Sequence, residues 1–311
     1  MSKSLRLIGF PNSGLLVFHA GIEIGFFENY ATPVSLEVTP SSIYQLVNLI
    51  DGKFDIACGA VDNFIAYQEN AGEETPKNNP DLAIFMGATQ IELSLVAGPG
   101  IQTIEDLRGT EVAMDAISTG FAFVLYKMLD NSGLRPGDYS LVSVGATPHR
   151  WQGVKDGNYS CTLLIEPFTS QAKALGYKVL CSSRDVFKNY PGQMFGVMRR
   201  WANSNEDRIV GFIKGYLDAL NWVLNENNTD SARNMLLRHM PQLNPKTVVP
   251  ALETLKNPET GLVSDGLIDR EGLKTVLELR SKYAANDKPL SDIEEYIDET
   301  FYRRVINLPK H

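Results

Sequence analysis

The run Asp51-Gly52-Lys53-Phe54-Asp55-Ile56-Ala57 (DGKFDIA) joins a predicted helix to a predicted strand. Its first three residues have the composition of a tight turn, and residues 54–58 are apolar enough for a buried strand. Residues 44–50, just before the turn, carry a helical pattern. A helix that leads through a short turn into a buried strand is typical of a parallel αβ unit. The run therefore favours an α/β fold.

The same alternation extends in both directions from this turn. Upstream, residues 5–10 (LRLIGF) and 34–38 are predicted strands, each followed by polar turn residues and a helix. Downstream, a second series of alternating strands and helices begins with a strand at 111–114. Beyond residue 206 the patterns are helical, at 206–224, 231–239, 246–255, 270–283 and 290–301. The acidic residues at 292–299 would form a solvated face of the last helix. We predict two similar lobes, lobe one from residues 1–90 plus 194–311 and lobe two from residues 91–193.

The composition is that of a folded protein of about two domains. The chain has 311 residues, of which 43% are hydrophobic and 21% charged. A net charge of −8 argues against a nucleic-acid partner. No segment approaches the roughly 20 apolar residues of a membrane span, so we expect no direct membrane insertion. Three Cys and four scattered His lack the spacing of a zinc or redox motif, so we expect neither a metal nor a cofactor.

Four motifs carry a family resemblance. The run at 51–57 resembles a glycine–hydrophobic–Asp–hydrophobic–Ala signature, and residues 100–114 (GIQTIEDLRGTEVAM) resemble the start of a second lobe. Residues 21–28 (GIEIGFFE) and 219–225 (ALNWVLN) are similar to the end of a first helix and to a late helix. In order and spacing the motifs resemble the type II periplasmic solute-binding superfamily, in its sulfonate/taurine-binding and thiamine-pyrimidine-synthesis-like branch.

The resemblance implies a two-lobed periplasmic-binding-protein-like fold. Each lobe would be a mostly parallel sheet flanked by helices, hinged by two crossover strands, with the ligand between the lobes. The implied function is binding of a small anionic organic solute as the substrate-binding component of an ABC importer, by a monomer whose partner is a membrane permease. The alternative is a cytoplasmic enzyme on the same fold, acting on a small carboxylate or pyrimidine-type metabolite. Its acid–base or nucleophilic groups would be Asp62, His149, Glu166 and Cys58, and the other interpretation of Cys58 is a small buried thiol. A cytoplasmic ligand sensor is a third, weaker reading.

The first residues bear on the compartment. They contain no signal-peptide apolar region. We therefore expect a periplasmic or extracellular protein if a leader was removed, and a cytoplasmic one if Met1 is the native start.

Candidate ligand-binding residues in lobe one follow its predicted strands. In an open α/β sheet, ligands bind beyond the carboxyl ends of the strands, where helix N-termini offer N–H groups that suit an anion. The hydroxyl and amide candidates are also typical helix caps, Asp62 also suits a helix N-terminus, and Phe10 is also a typical core residue. The candidates are Phe10, Asn12, Ser13, Ser41, Ser42, Asp62 and Asn63.

The candidates in lobe two lie at the equivalent positions. Ser118 and Thr119, in the loop at 115–120, would form an anion seat with backbone N–H groups. Arg150 would bind a carboxylate in bidentate fashion or lie on the solvated surface, and His149 would bind ligand or be a polar surface residue. Glu166 would close the lobes or hydrogen-bond the ligand.

Overall fold

A computed structural model of the chain describes residues 4–118, 120–188, 190–284, 290 and 292–306. Within them the chain forms two five-stranded sheets flanked by helices. The strands in chain order are β1 (Leu5–Gly9), β2 (Val34–Val38), β3 (Ile56–Ala60), β4 (Leu82–Gly87), β5 (Ser94–Ala97), β6 (Glu111–Met114), β7 (Ser140–Ser143), β8 (Cys161–Leu164), β9 (Val179–Ser182) and β10 (Gln193–Met198).

The helices surround these sheets, and among the described helices none is long and apolar enough to cross a membrane. They are α1 (Leu15–Ile24), α2 (Ser42–Ile50), α3 (Val61–Gln68), α4 (Ala122–Asp130), α5 (Thr147–Lys155), α6 (Phe168–Ala174), α7 (Arg199–Ser204), α8 (Glu206–Leu224), α9 (Thr229–His239), α10 (Val248–Lys256), α11 (Arg270–Tyr283) and α12 (Thr300–Ile306).

The two sheets share one topology. The strand order is β2-β1-β3-β10-β4 in the first and β7-β6-β8-β5-β9 in the second. In the first sheet, β10 is antiparallel to both its neighbours. In the second sheet, β5 is likewise antiparallel to both its neighbours. Each of these strands enters from the other lobe, because β5 follows β4 and β10 follows β9. The predicted two-lobed fold of mostly parallel sheets with two crossover strands is therefore confirmed, while the exact domain boundaries stay a prediction.

The core explains why the two lobes pack as one body. In lobe one, Phe18 of α1, Phe195 of β10 and Tyr216 of α8 are buried together, and the Phe195 and Tyr216 rings meet edge to face at 4.7 Å. A second cluster joins Phe64 of α3 to Leu95 of β5, so apolar contacts run continuously from one lobe into the other. Every residue of β3, β4 and β10 is buried, as expected of central strands.

The predicted strands at 34–38 and 111–114 and the helices at 206–224 and 270–283 are confirmed. The helix predicted at 290–301 is wrong. A short 3-10 turn occupies Ile293–Tyr296, and Ile297 is extended and bridges Ile84 at the edge of the first sheet, so tertiary pairing overrides the helical pattern. Glu299, expected on a solvated face, is buried and paired with arginines.

Candidate ligand-binding cleft

The loops after β1, β2 and β3 face the loops after β6, β7 and β8 across a closed cleft. The Ala146 N–H donates to the Pro40 carbonyl at 2.8 Å, from one lobe to the other. Gly145 has φ of 101°, and a Cβ added there would lie 2.9 Å from the Pro40 oxygen. The lobes therefore approach so closely that this position requires glycine.

Side-chain carboxyl groups form further contacts between the two lobes. Asp115, at the end of β6, accepts the N–H of Ser42 at the start of α2 at 3.0 Å. Glu73, in the loop after α3, accepts the N–H groups of Ile117 and Ser118 at 2.7 and 2.9 Å and the Ser118 hydroxyl at 3.0 Å. The anion seat predicted at Ser118 thus holds the protein's own carboxylate in this structure. Thr119, its predicted partner, lies outside the described residues.

Asp62 forms a third contact between the lobes. It accepts the N–H of Gly120 at 2.5 Å and makes a bidentate ion pair with Arg280 of α11, at 2.6 and 3.0 Å. Both charged side chains are almost fully buried, at 1% and 2% exposure, and the Arg280 guanidinium lies over the Phe123 ring. Asp62 therefore links lobe two to the C-terminal helices of lobe one.

A central cavity of about 40 Å³ lies behind these contacts. Both lobes and both crossing segments contribute to its wall. The predicted residues Phe10, Asn63 and Arg150 line it. Four apolar and three polar residues also line it: Ile91, Met114, Phe121, Ile165, Asp115, Thr147 and Gln193.

Arg150 is a buried cation on this cavity. The structure rules out the solvated alternative, because its side chain is only 4% exposed and lies in the first turn of α5 rather than in a loop. Among the described residues it has no ion-pair partner, and burial lowers its pKa to about 10 while nearby Asp115 opposes the change. The guanidinium therefore stays charged at neutral pH. It donates to neutral oxygens at 3.0–3.2 Å, those of Thr162, Gly145, Thr147 and Leu163.

A second cavity of about 100 Å³ adjoins the first. The predicted residues Asn12, Ser13 and Glu166 line it. Ile91, Ile165 and Gln193 line both cavities and so form the wall between them. The Ser13 N–H also donates to the Glu166 carbonyl at 3.4 Å, which adds a contact between the lobes at this cavity.

The model of the NMT1-like family matches residues 10–237. The chain belongs to the NMT1-like family. No match is found among curated proteins.

Solved structures share the fold of this NMT1-like protein at low sequence identity. The alkanesulfonate-binding protein of Xanthomonas axonopodis pv. citri, bound to MOPS, is 15% identical with a TM-score of 0.76, over 96% of this chain and 98% of that one. The periplasmic nitrate-binding protein of Synechocystis PCC 6803 is 15% identical with a TM-score of 0.82, over 98% and 88%. The ligand-binding component of an ABC-type import system from Staphylococcus aureus, with zinc bound, is 10% identical with a TM-score of 0.77, over 98% and 99%. The predicted resemblance in fold to periplasmic solute-binding proteins is confirmed.

Other predicted residues of the NMT1-like protein line neither cavity. The Ser41 hydroxyl accepts the Tyr44 N–H at 3.1 Å and caps α2, Ser42 contributes its N–H to Asp115, and His149 is exposed. The enzyme alternative had included Cys58 as a nucleophile. Its thiol is buried, burial raises its pKa, and it donates to Gln193, so it stays protonated.

Sequence reasoning missed several residues of this site. Asp115 ends a strand like the other candidates, so its position was a usable signal. No sequence signal identified Gln193, Glu73 or Arg280. They lie on β10, in the loop after α3 and on α11, and only the folded chain brings these segments to the cleft. Within the described part of the chain, no group of three or more His, Cys, Asp or Glu side chains is placed to hold a metal ion.

Proposed function

We propose that this NMT1-like protein binds a small organic anion in the central cavity and serves as the solute-binding component of an ABC importer. The observation that carries the proposal is the buried, charged Arg150 guanidinium, whose partners are neutral oxygens. Burying a charge without an ion-pair partner is costly, so a bound carboxylate, sulfonate or nitrate group would supply the hydrogen-bonded anionic oxygen that the described site lacks. Four of the five guanidinium N–H groups already donate to these neutral oxygens, so one Nη1–H remains to donate to such an anion.

The rest of the central cavity fits an organic solute. Asp115 offsets part of the Arg150 charge, but its oxygens face the Ser42 N–H and contribute to lobe closure. Phe10 and Phe121 offer apolar surface for the carbon part of the ligand. With about 10–15 Å³ needed for one water, 40 Å³ holds only a few heavy atoms, so a larger solute requires the lobes to close less tightly.

Lobe closure gives such a protein its switch. The ligand would favour the closed state because it contacts both lobes at once, and the two crossing segments would act as hinges. A membrane permease that distinguishes closed from open lobes is the partner this mechanism requires. The periplasmic and ABC-import neighbours support the same role, and we propose that the protein acts as a monomer outside the cytoplasmic membrane.

Binding is tested by thermal unfolding and calorimetry with alkanesulfonates, alkyl carboxylates and nitrate. At least one class is expected to raise the unfolding temperature, with a larger shift for a tighter ligand at the same concentration. Arg150→Lys keeps a positive charge but cannot reproduce the four hydrogen bonds that hold the guanidinium on the cavity wall, and it is expected to weaken that ligand about tenfold. Exposed Arg200→Lys is the matched control and should bind as the parent does. If no probe binds, the proposal is wrong, and chemical turnover of a bound probe would favour the enzyme alternative.

A further inference from the structure

The second cavity is larger than the central one, about 100 Å³ against about 40 Å³, and shares a wall with it. That wall consists of the side chains of Ile91, Ile165 and Gln193. Aliphatic and amide side chains of this kind change rotamer more readily than backbone moves. A solute anchored at Arg150 therefore has a short route past this wall into the second cavity.

Two buried polar groups of the second cavity lack partners. Asn12 is 6% exposed, and its amide oxygen accepts the Gly14 N–H at 2.8 Å, which assigns the other amide atom as a nitrogen donor. That nitrogen and the hydroxyl of Thr169, which is 5% exposed, have no hydrogen-bond partner among the described residues. Buried polar groups in native proteins are normally satisfied, so both need a polar partner in this cavity, either water or a ligand group.

The same cavity also offers acceptors. The Glu166 carboxylate accepts the Ser170 hydroxyl at 3.0 Å and the Ser170 N–H at 3.4 Å, which leaves about two of its four lone-pair positions unused. Glu92 accepts the Ser182 hydroxyl at 2.8 Å and also lines the cavity. A ligand group here thus meets an N–H donor, a hydroxyl, carboxylate acceptors and the Lys173 ammonium, whose charge partly offsets that of Glu166.

We propose that the second cavity is a subsite for the distal end of the solute, and that this end carries a neutral group that both donates and accepts hydrogen bonds, such as a hydroxyl or a carboxamide. The inference rests on the proposed function, since the anionic end is held at Arg150. A terminal methyl would satisfy none of these groups. A terminal ammonium would donate to Glu166 but leave the Asn12 nitrogen unpaired.

The test compares straight-chain sulfonates of two to six carbons that end in methyl, hydroxyl, carboxamide or ammonium. Calorimetry is expected to show that, at the length that spans both cavities, the hydroxyl or carboxamide probe binds about tenfold more tightly than its methyl counterpart. Methyl-ended probes that bind, with no gain from a hydroxyl or carboxamide at any length, would overturn the subsite and leave the proposed function standing. Tightest binding of the ammonium probe would overturn the neutral-group assignment. If no sulfonate binds, both the subsite and the proposal that Arg150 anchors a sulfonate are wrong.

Thr169→Val separates binding from folding. Because the hydroxyl has no partner in the described structure, its replacement by a methyl group removes no protein hydrogen bond and should leave the unfolding temperature unchanged or raised. The preference for hydroxyl over methyl probes is expected to fall at least threefold, with methyl-probe affinity unchanged. Thr275→Val on α11 lines neither cavity and is the control that should keep the full preference. An unaltered preference in Thr169→Val would contradict the assignment of this hydroxyl to the subsite.

Discussion

The buried ion pair between Asp62 and Arg280 is the residue-scale feature with the largest expected energy. Both side chains are at most 2% exposed, so Asp62→Asn leaves a buried guanidinium without its countercharge. We expect a loss of about 3–5 kcal/mol in the free energy of unfolding, measured by urea denaturation. Asp230→Asn breaks the exposed pair with Arg233 and should cost less than about 1 kcal/mol. Equal losses of unfolding free energy in the two variants would show that the buried Asp62 pair contributes no more to stability than an exposed one.

Residue-scale chemistry was only partly accessible from the sequence. Post-strand position was enough to select Phe10, Asn63 and Arg150, because parallel strands bring their carboxyl ends to one edge of the sheet. Position in the sequence could not show which polar groups would pair with other groups of the protein rather than with a ligand. Asp62 was selected as a ligand group, yet its partner Arg280 lies on a helix 218 positions further along the chain.

At the scale of elements, the approach of the loop before α5 to lobe one depends on Gly145. Gly145→Ala combines a left-handed backbone with a Cβ 2.9 Å from the Pro40 oxygen of the facing lobe. Gly157→Ala is the matched control, since φ is 74° and no atom lies within 4 Å of its Cβ. Both should lose about 1 kcal/mol of stability from backbone strain. Only Gly145→Ala should also increase the radius of gyration in X-ray scattering, and an equal increase in both variants would refute the cross-cleft contact.

The elements themselves were well predicted where local pattern and tertiary environment agree. The strand at 34–38 and the helices at 206–224 and 270–283 have clear periodicity and a single buried face to satisfy. The C-terminal segment differs, because Ile297 pairs with Ile84 at a sheet edge that no local pattern reveals. Acidic residues there suggested a solvated helix, whereas Glu299 is buried between Arg270 and Arg303.

At the scale of the whole molecule, the Asp115 carboxyl is partly buried in the closed cleft, and this burial raises its pKa above the ordinary 3.8, with Arg150 opposing this and Glu73 adding to it. A raised pKa in the closed state means that the protonated carboxyl favours closure fully below 3.8, and that this contribution is lost as the pH rises through the raised value. The ligand-free protein should therefore open as the pH rises through that window, which scattering can follow. Asp115→Asn keeps an acceptor for the Ser42 N–H without titrating, so its transition should shrink. Adding Glu166→Gln to Asp115→Asn should remove the rest of the pH-dependent transition, because burial also raises the Glu166 pKa. An identical transition in the double variant would exclude these two carboxyls as its source.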